Sequence, residues 1–148
     1  MQDTLPVATL PSGTVLAFDF GAKRTGVAVG ELSLRIAHPL ITIRAASDRE
    51  RMQQVAALIK EWAPVLLVVG LPGGADGGEH AFAARCRAFA RRLQRDFRIE
   101  TRLVDERLTS DQAGRALSEA GGSRARDDEA AAVILQQWLD ERARGGER

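Results

Sequence analysis

Apolar runs along the chain predict five strands and four helices. The first three strands follow one another closely, whereas helical segments with apolar residues at 3.6-residue spacing separate the later ones. Residues 65–69 are wholly apolar, which is typical of a strand buried on both faces. The predicted strands span 14–20, 25–30, 33–44 with an interruption near His38 and Pro39, 65–69 and 99–104. The predicted helices span 47–62 with Ser47 or Asp48 as the cap, 79–97, 109–120 and 127–142.

This order of elements predicts an α/β fold. A meander of three strands followed by β-α alternation gives a mixed five-stranded sheet with helices on its faces. The first strand can lie at the centre, beside the later parallel strands, and crossover handedness then leaves few topologies. The ribonuclease-H-like fold is the leading expectation. In such sheets the functional site lies at the carboxyl ends of the strands.

Composition places the chain among ordinary globular proteins. Its 148 residues are 45% hydrophobic and 28% charged, and no apolar run is long enough to cross a membrane. The single cysteine, Cys86, cannot form an internal disulfide. We expect a flexible leader at 1–12, one domain at 13–142, a flexible tail at 143–148, and a cytoplasmic location.

The basic residues are informative through their distribution. The net charge is only +1, but arginines cluster in residues 85–98, "RCRAFARRLQRDFR". Arginine suits bidentate contacts with phosphate. Arg91 and Arg95 are therefore candidates for nucleic-acid binding, and the alternative is an ordinary solvated helix face.

Three acidic clusters follow elements that we expect to converge on one edge of the sheet. Asp19 ends the first strand, Asp105 and Glu106 follow the fifth, and Asp127 and Asp128 begin the last helix. Each cluster also has an ordinary structural interpretation, such as a helix cap or a loop ion pair. Taken together, convergent carboxylates are the ligands that hard divalent cations prefer. Two such ions can activate water and stabilise the leaving oxygen of a phosphodiester.

Several motifs resemble the YqgF (RuvX) family of Holliday-junction-resolvase-like proteins. The matching segments are "LAFDFGAKRTGVAVG", "AHPLITI", "VVGLP" with "DGGE", "VDERLTS" and "DDEAAAVILQQWL", which together cover most of residues 14–140. The resemblance implies a ribonuclease-H-like nuclease that uses Mg²⁺ or Mn²⁺ and processes the 5′ end of pre-16S rRNA, or alternatively resolves branched DNA. It places the catalytic and metal-binding carboxylates at Asp19, Glu106 and Asp127, with Asp105 as a further candidate ligand. Glu31, Gly74 and Gly78 depart from the usual family pattern, outside this implied metal site.

Basic residues close to these motifs are candidates for holding a phosphate backbone. Lys23 and Arg24 follow Asp19 on a turn, and Arg107 directly follows Glu106. The glycine-rich segment 70–78 either faces nucleic acid or is a plain connection, and it lacks the Walker A pattern. The expected partner is structured RNA or branched DNA, with no membrane, and the protein is expected to be a monomer or weak homodimer.

Two other functions are compatible with the sequence. One is a non-catalytic RNA-binding protein of the same fold, in which the carboxylates hold a structural ion or none. The other is a nucleotide-phosphate site of the actin-like type, although the chain lacks a second phosphate loop. Cleavage that requires a divalent cation would distinguish the nuclease from the binding protein, whose phosphate-dominated binding would persist without metal and weaken with salt.

Overall fold

A computed structural model describes residues 12–71, 80–105 and 127–146 of the chain. The predicted helix at 109–120 and most of the glycine-rich segment lie outside these ranges, as does the leader up to residue 11. The described elements are β1 (Thr14–Asp19), β2 (Arg24–Glu31), β3 (Ile36–Arg44), α1 (Asp48–Trp62), β4 (Leu66–Leu71), α2 (His80–Phe97), β5 (Thr101–Asp105) and α3 (Asp127–Glu141).

The five strands form one mixed sheet in the order β3-β2-β1-β4-β5. The pairs β1–β2 and β2–β3 are antiparallel, and β4 and β5 continue the sheet parallel to β1. This is the predicted α/β architecture, with the first strand at the centre. Because β1, β4 and β5 run in the same direction, their carboxyl ends lie at one edge of the sheet.

Side chains alternate between two hydrophobic layers. From β1, Leu16 and Phe18 pack on the face covered by α1 and α2, whereas Val15 and Ala17 pack on the face covered by α3. The central strands β1 and β4 are buried on both faces, as their unbroken apolar runs predict. Each helix buries an apolar stripe against this sheet, which fixes where its first turn stands relative to the strand ends.

The third strand is shorter than predicted. It begins at Ile36 rather than residue 33, because the Glu31 carboxylate organises the preceding turn by accepting hydrogen bonds from the backbone N–H of Ser33 at 2.8 Å and of Leu34 at 3.1 Å. The same carboxylate accepts from Gly13 N–H at 2.6 Å. The strand is continuous through Pro39, and the predicted interruption takes the form of a bulge.

The ends of the helices follow from local chemistry. The Ser47 hydroxyl accepts a hydrogen bond from Glu50 N–H at 3.2 Å, so Ser47 is the cap of α1. After α3, the segment Arg142–Gly146 forms one π-helical turn.

Within the described ranges, no helix is both long and apolar enough to cross a membrane.

Candidate active site at the carboxyl edge of the sheet

Asp19 is the last residue of β1 and lies at the carboxyl edge of the sheet. Strand alternation directs its side chain to the face that α3 covers, together with Val15 and Ala17. The side chain is half-buried. Among the residues that the structure describes, no hydrogen bond or ion pair to this carboxylate is found. A half-buried carboxylate without a cationic partner is costly unless it serves as a ligand or shares a proton.

Asp127, from the C-terminal part of the chain, lies close enough to Asp19 for their charges to interact. It is the first residue of α3, whose N-terminus lies directly over β2. A Cβ placed on Gly26 would lie 1.8 Å from the carbonyl oxygen of Asp127, so only glycine permits this approach. Gly26 is the cross-strand partner of Asp19. The glycine therefore brings the start of α3 down onto the sheet beside the first carboxylate.

The two carboxylates interact electrostatically. Burial, and to a lesser extent the charge on Asp127, raises the pKa of Asp19 from 3.8 to about 6. Asp127 in turn lies 3.3 Å from Nε of Arg24, with both side chains partly exposed. Arg24 thus partly balances the negative charge at this edge.

An open cleft lies beside this pair. It has a volume of about 880 Å³ and is lined by the turn between β1 and β2, the end of β3 and Asp127. Lys23, Arg24 and Arg44 supply three positive charges to its walls. The backbone N–H of Ala45 donates to the carbonyl of Lys23 at 3.2 Å, which ties the turn to the end of β3. Asp127 therefore shares the wall of this cleft with three basic side chains.

A match to a known protein family identifies the family of this chain. The sequence model of the family described as "RuvX: Holliday junction resolvase" matches residues 13–141, which is most of the chain. The chain belongs to the RuvX family.

Curated members of the RuvX family match over nearly the whole chain. A protein of Nitrosospira multiformis named "Putative pre-16S rRNA nuclease" is 52% identical over 147 residues, covering 96% of this chain and 97% of that protein. A protein of the same name from Nitrosomonas europaea is 53% identical over 134 residues, covering 87% and 90%. Each of these two matches thus covers most of both proteins.

Solved structures support the fold. Thermus thermophilus RuvC in complex with a Holliday junction substrate covers 90% of this chain and 96% of its own, at 14% identity and a TM-score of 0.56. A second structure of Thermus thermophilus RuvC gives 13% identity and a TM-score of 0.51. At this identity the likeness concerns the fold alone, and it confirms the predicted ribonuclease-H-like architecture.

Of the remaining candidates, in the motif "VDERLTS", the structure describes Asp105 at the end of β5 but not Glu106 or Arg107. Asp105 is described and exposed, and it pairs in register with Leu71. Leu71 packs in the layer of α1 and α2, and Val104 packs against α3, so Asp105 faces away from the side of Asp19. Glu106 and Arg107 lie outside the described residues. Within the described part of the chain, no group of three potential metal ligands is found.

The two arginines singled out on α2 stand on the opposite face of the sheet from Asp19. Arg91 and Arg95 are both exposed. Nε of Arg95 lies 3.0 Å from Asp96, which also pairs with Arg92 at 3.2 Å. Their role in binding nucleic acid remains a prediction, and any such contact would be remote from the carboxylate pair.

Two arginines close to the site were not found by sequence reasoning. Arg44 is the cross-strand partner of Arg24 and lines the cleft, but this register cannot be read from the sequence. Arg51 is buried beneath the turn that follows Asp19. A sequence signal for Arg51 exists, because it stands one helical turn before Val55 and thus on the stripe of α1 that faces the core.

Proposed function

We propose that this protein is a divalent-metal-dependent endonuclease that cleaves structured nucleic acid, with the 5′ end of pre-16S rRNA as its substrate. The observation that carries the proposal is the meeting of Asp19 and Asp127, from opposite ends of the chain, beside a cleft lined by three basic residues. The names of curated RuvX relatives support the choice of substrate. The proposal places the protein in the cytoplasm, as a monomer or weak homodimer.

The donor chemistry fits Mg²⁺ or Mn²⁺. Asp19 and Asp127 offer carboxylate oxygens, which these hard cations prefer over nitrogen or sulfur. Burial, and to a lesser extent the charge on Asp127, raises the pKa of Asp19, and a bound divalent cation would favour its ionised form. A bound cation would supply activation of water and stabilisation of the leaving oxygen. For the third carboxylate we propose Glu106 rather than Asp105, since Asp105 faces the other side of the sheet.

The protein's own contribution is positioning. Lys23, Arg24 and Arg44 would hold the phosphate backbone along the cleft, in contacts that orient a substrate without reading its sequence. Arg24 takes part both in the carboxylate site and in the basic cleft, because it contacts Asp127 and also lines the cleft. Release of Arg24 to a substrate phosphate would leave Asp127 available as a ligand.

Cleavage assays with matched variants test this function. Purified protein is incubated with the 5′ leader of a 16S rRNA precursor and with a four-way DNA junction, each with EDTA, Mg²⁺ or Mn²⁺. We expect metal-dependent cleavage of the RNA leader and its loss in D19N and D127N. D140N is the control, since Asp140 is an exposed carboxylate near the other end of α3.

Each other result has a defined meaning. Cleavage of the DNA junction with the RNA leader intact would replace the proposed substrate by branched DNA. RNA binding that persists in EDTA, with no cleavage under any metal, would favour the non-catalytic binding protein. Equal cleavage by D19N and wild-type protein would contradict the assignment of the site.

A further inference from the structure

Arg51 is a buried cation on the inner face of α1. It is 2% exposed, which is rare for arginine unless its charge is paired. One terminal nitrogen, Nη1, donates to the carboxylate of Asp48 one helical turn earlier. The guanidinium carbon also lies 4.8 Å from the centre of the Phe20 ring. Burying this charge is costly, so its contacts must compensate for the lost hydration.

The other terminal nitrogen of Arg51 reaches the turn that carries the basic residues of the cleft. Nη2 donates to the carbonyl of Gly21 at 3.1 Å and also to the carbonyl of Ala22. These two residues lie in the turn between β1 and β2, Lys23 ends that turn, and Arg24 is the first residue of β2. A single side chain thus holds two successive carbonyls of the turn from below, while Lys23 and Arg24 line the cleft above.

The chemistry of arginine suits this arrangement. The guanidinium is planar, always protonated and offers several donors in a fixed geometry, so one group can serve Asp48 and both carbonyls at once. An apolar side chain of similar length would fill the space but leave both carbonyls without this donor. Without Arg51 the carbonyl of Gly21 would still accept from the Thr25 hydroxyl at 3.4 Å, whereas the carbonyl of Ala22 would lose the donor that ties it to α1.

We propose that Arg51 is a positioning residue that fixes the turn 21–24 so that Lys23 and Arg24 meet a nucleic-acid backbone at a defined place. This inference rests on the proposed function, since the turn matters only if the cleft receives nucleic acid. Arg51 touches neither the cleft nor the carboxylate pair, and it acts through the carbonyls of Gly21 and Ala22.

The test compares two replacements at residue 51 of similar size. R51M keeps the bulk and removes the donors, whereas R51K keeps an ammonium with three donors. R49M is the matched control, because Arg49 is an exposed arginine in the first turns of the same helix. Binding of the non-cleaved RNA leader is measured in EDTA over a range of salt concentrations, and amide order parameters are measured by NMR for residues 21–24.

We expect R51M to fold and to bind the RNA about tenfold more weakly, with its salt dependence reduced by up to roughly two phosphate contacts. Its order parameters at residues 21–24 should fall from rigid values of about 0.85 towards 0.6. R51K should recover at least part of both properties, and R49M should leave the order parameters unchanged. In a variant that already lacks Lys23 and Arg24, R51M should cause little further loss, because the two changes act through one turn.

Three results would overturn the proposal. The first is wild-type affinity and a rigid turn in R51M. The second is weaker RNA binding in R51M while residues 21–24 stay as rigid as in wild-type protein, which would show that affinity does not depend on the order of this turn. R51K provides the same comparison of affinity and rigidity if R51M does not fold. The third is an additive loss in the background without Lys23 and Arg24. A wild-type protein that binds neither RNA nor the DNA junction would instead overturn the proposed function.

Discussion

Replacement of Asp19 by asparagine tests whether the carboxylate needed for cleavage also lowers the stability of the folded protein. Asparagine keeps the shape of the side chain and removes the charge that burial and Asp127 disfavour. The wild-type pKa of about 6 lies above the ordinary value of 3.8, so the folded state binds the Asp19 proton more tightly than the unfolded state. Wild-type stability from this group is therefore fully present below pH 4 and is lost as the pH rises to 6 and beyond.

The magnitude follows from the shift. Each pKa unit corresponds to 1.36 kcal/mol, so a shift of roughly two units sets an upper limit of about 3 kcal/mol. Solvent still reaches part of the side chain, and we expect D19N to be more stable than wild-type protein by about 1–2 kcal/mol at pH 7. For a domain of this size that is an increase of roughly 2–8 °C in the melting temperature. At pH 3.5 the two proteins should melt together.

The assay is thermal unfolding in EDTA from pH 3.5 to 8, followed by the same scan with Mg²⁺. Addition of Mg²⁺ should stabilise wild-type protein and have little effect on D19N, because binding to the folded state alone raises stability by mass action. D19N should also lack cleavage activity. A stability difference that is the same at pH 3.5 and pH 7 would refute the electrostatic reasoning, and full cleavage by D19N would refute the role of Asp19 as a ligand.

Three further changes test other parts of the molecule. G26A should destabilise the protein by about 1–3 kcal/mol in urea unfolding and reduce cleavage, because a Cβ would lie 1.8 Å from the Asp127 carbonyl oxygen; wild-type stability would contradict the close packing of α3 on β2. E31Q should lower stability at pH 7, since hydrogen bonds hold the pKa of Glu31 at about 2 instead of 4.5, and the difference should shrink as the pH falls from 4.5 to 2; a constant difference would exclude ionisation as the cause. Joint replacement of Arg91 and Arg95 by alanine should reduce the salt dependence of RNA binding by up to roughly two phosphate contacts, and an unchanged slope would leave them as a solvated helix face.

The fold could be predicted because its signals are local. The apolar run of β4 and the helical spacing of α1 and α2 report burial directly, and the order of elements leaves few topologies. The position of Asp19 was equally readable, since a carboxylate that ends a buried strand stands out against its neighbours.

The contacts within the site could not be predicted, because they join distant parts of the chain. The ion pair of Arg24 with Asp127 depends on the depth at which α3 packs, which is set by the absence of a side chain at Gly26. The buried state of Arg51 depends on the carbonyls of a turn thirty residues away. A charged residue on a helix is normally solvated, and although the position of Arg51 one turn before Val55 indicates that it faces the core, it does not indicate that Arg51 holds this turn.

The packing of α3 also determines when the activity can first exist. On one face of the sheet, Val15, Ala17 and Val68 are buried together with residues of this helix. During synthesis on the ribosome, a chain that has emerged only as far as β5 contains Asp19 but not yet Asp127. The carboxylate pair therefore forms only once α3 has left the exit tunnel, since domains fold as units and distant contacts form late. A nuclease directed at ribosomal RNA would thus lack its complete carboxylate pair until α3 has left the ribosome that synthesises it.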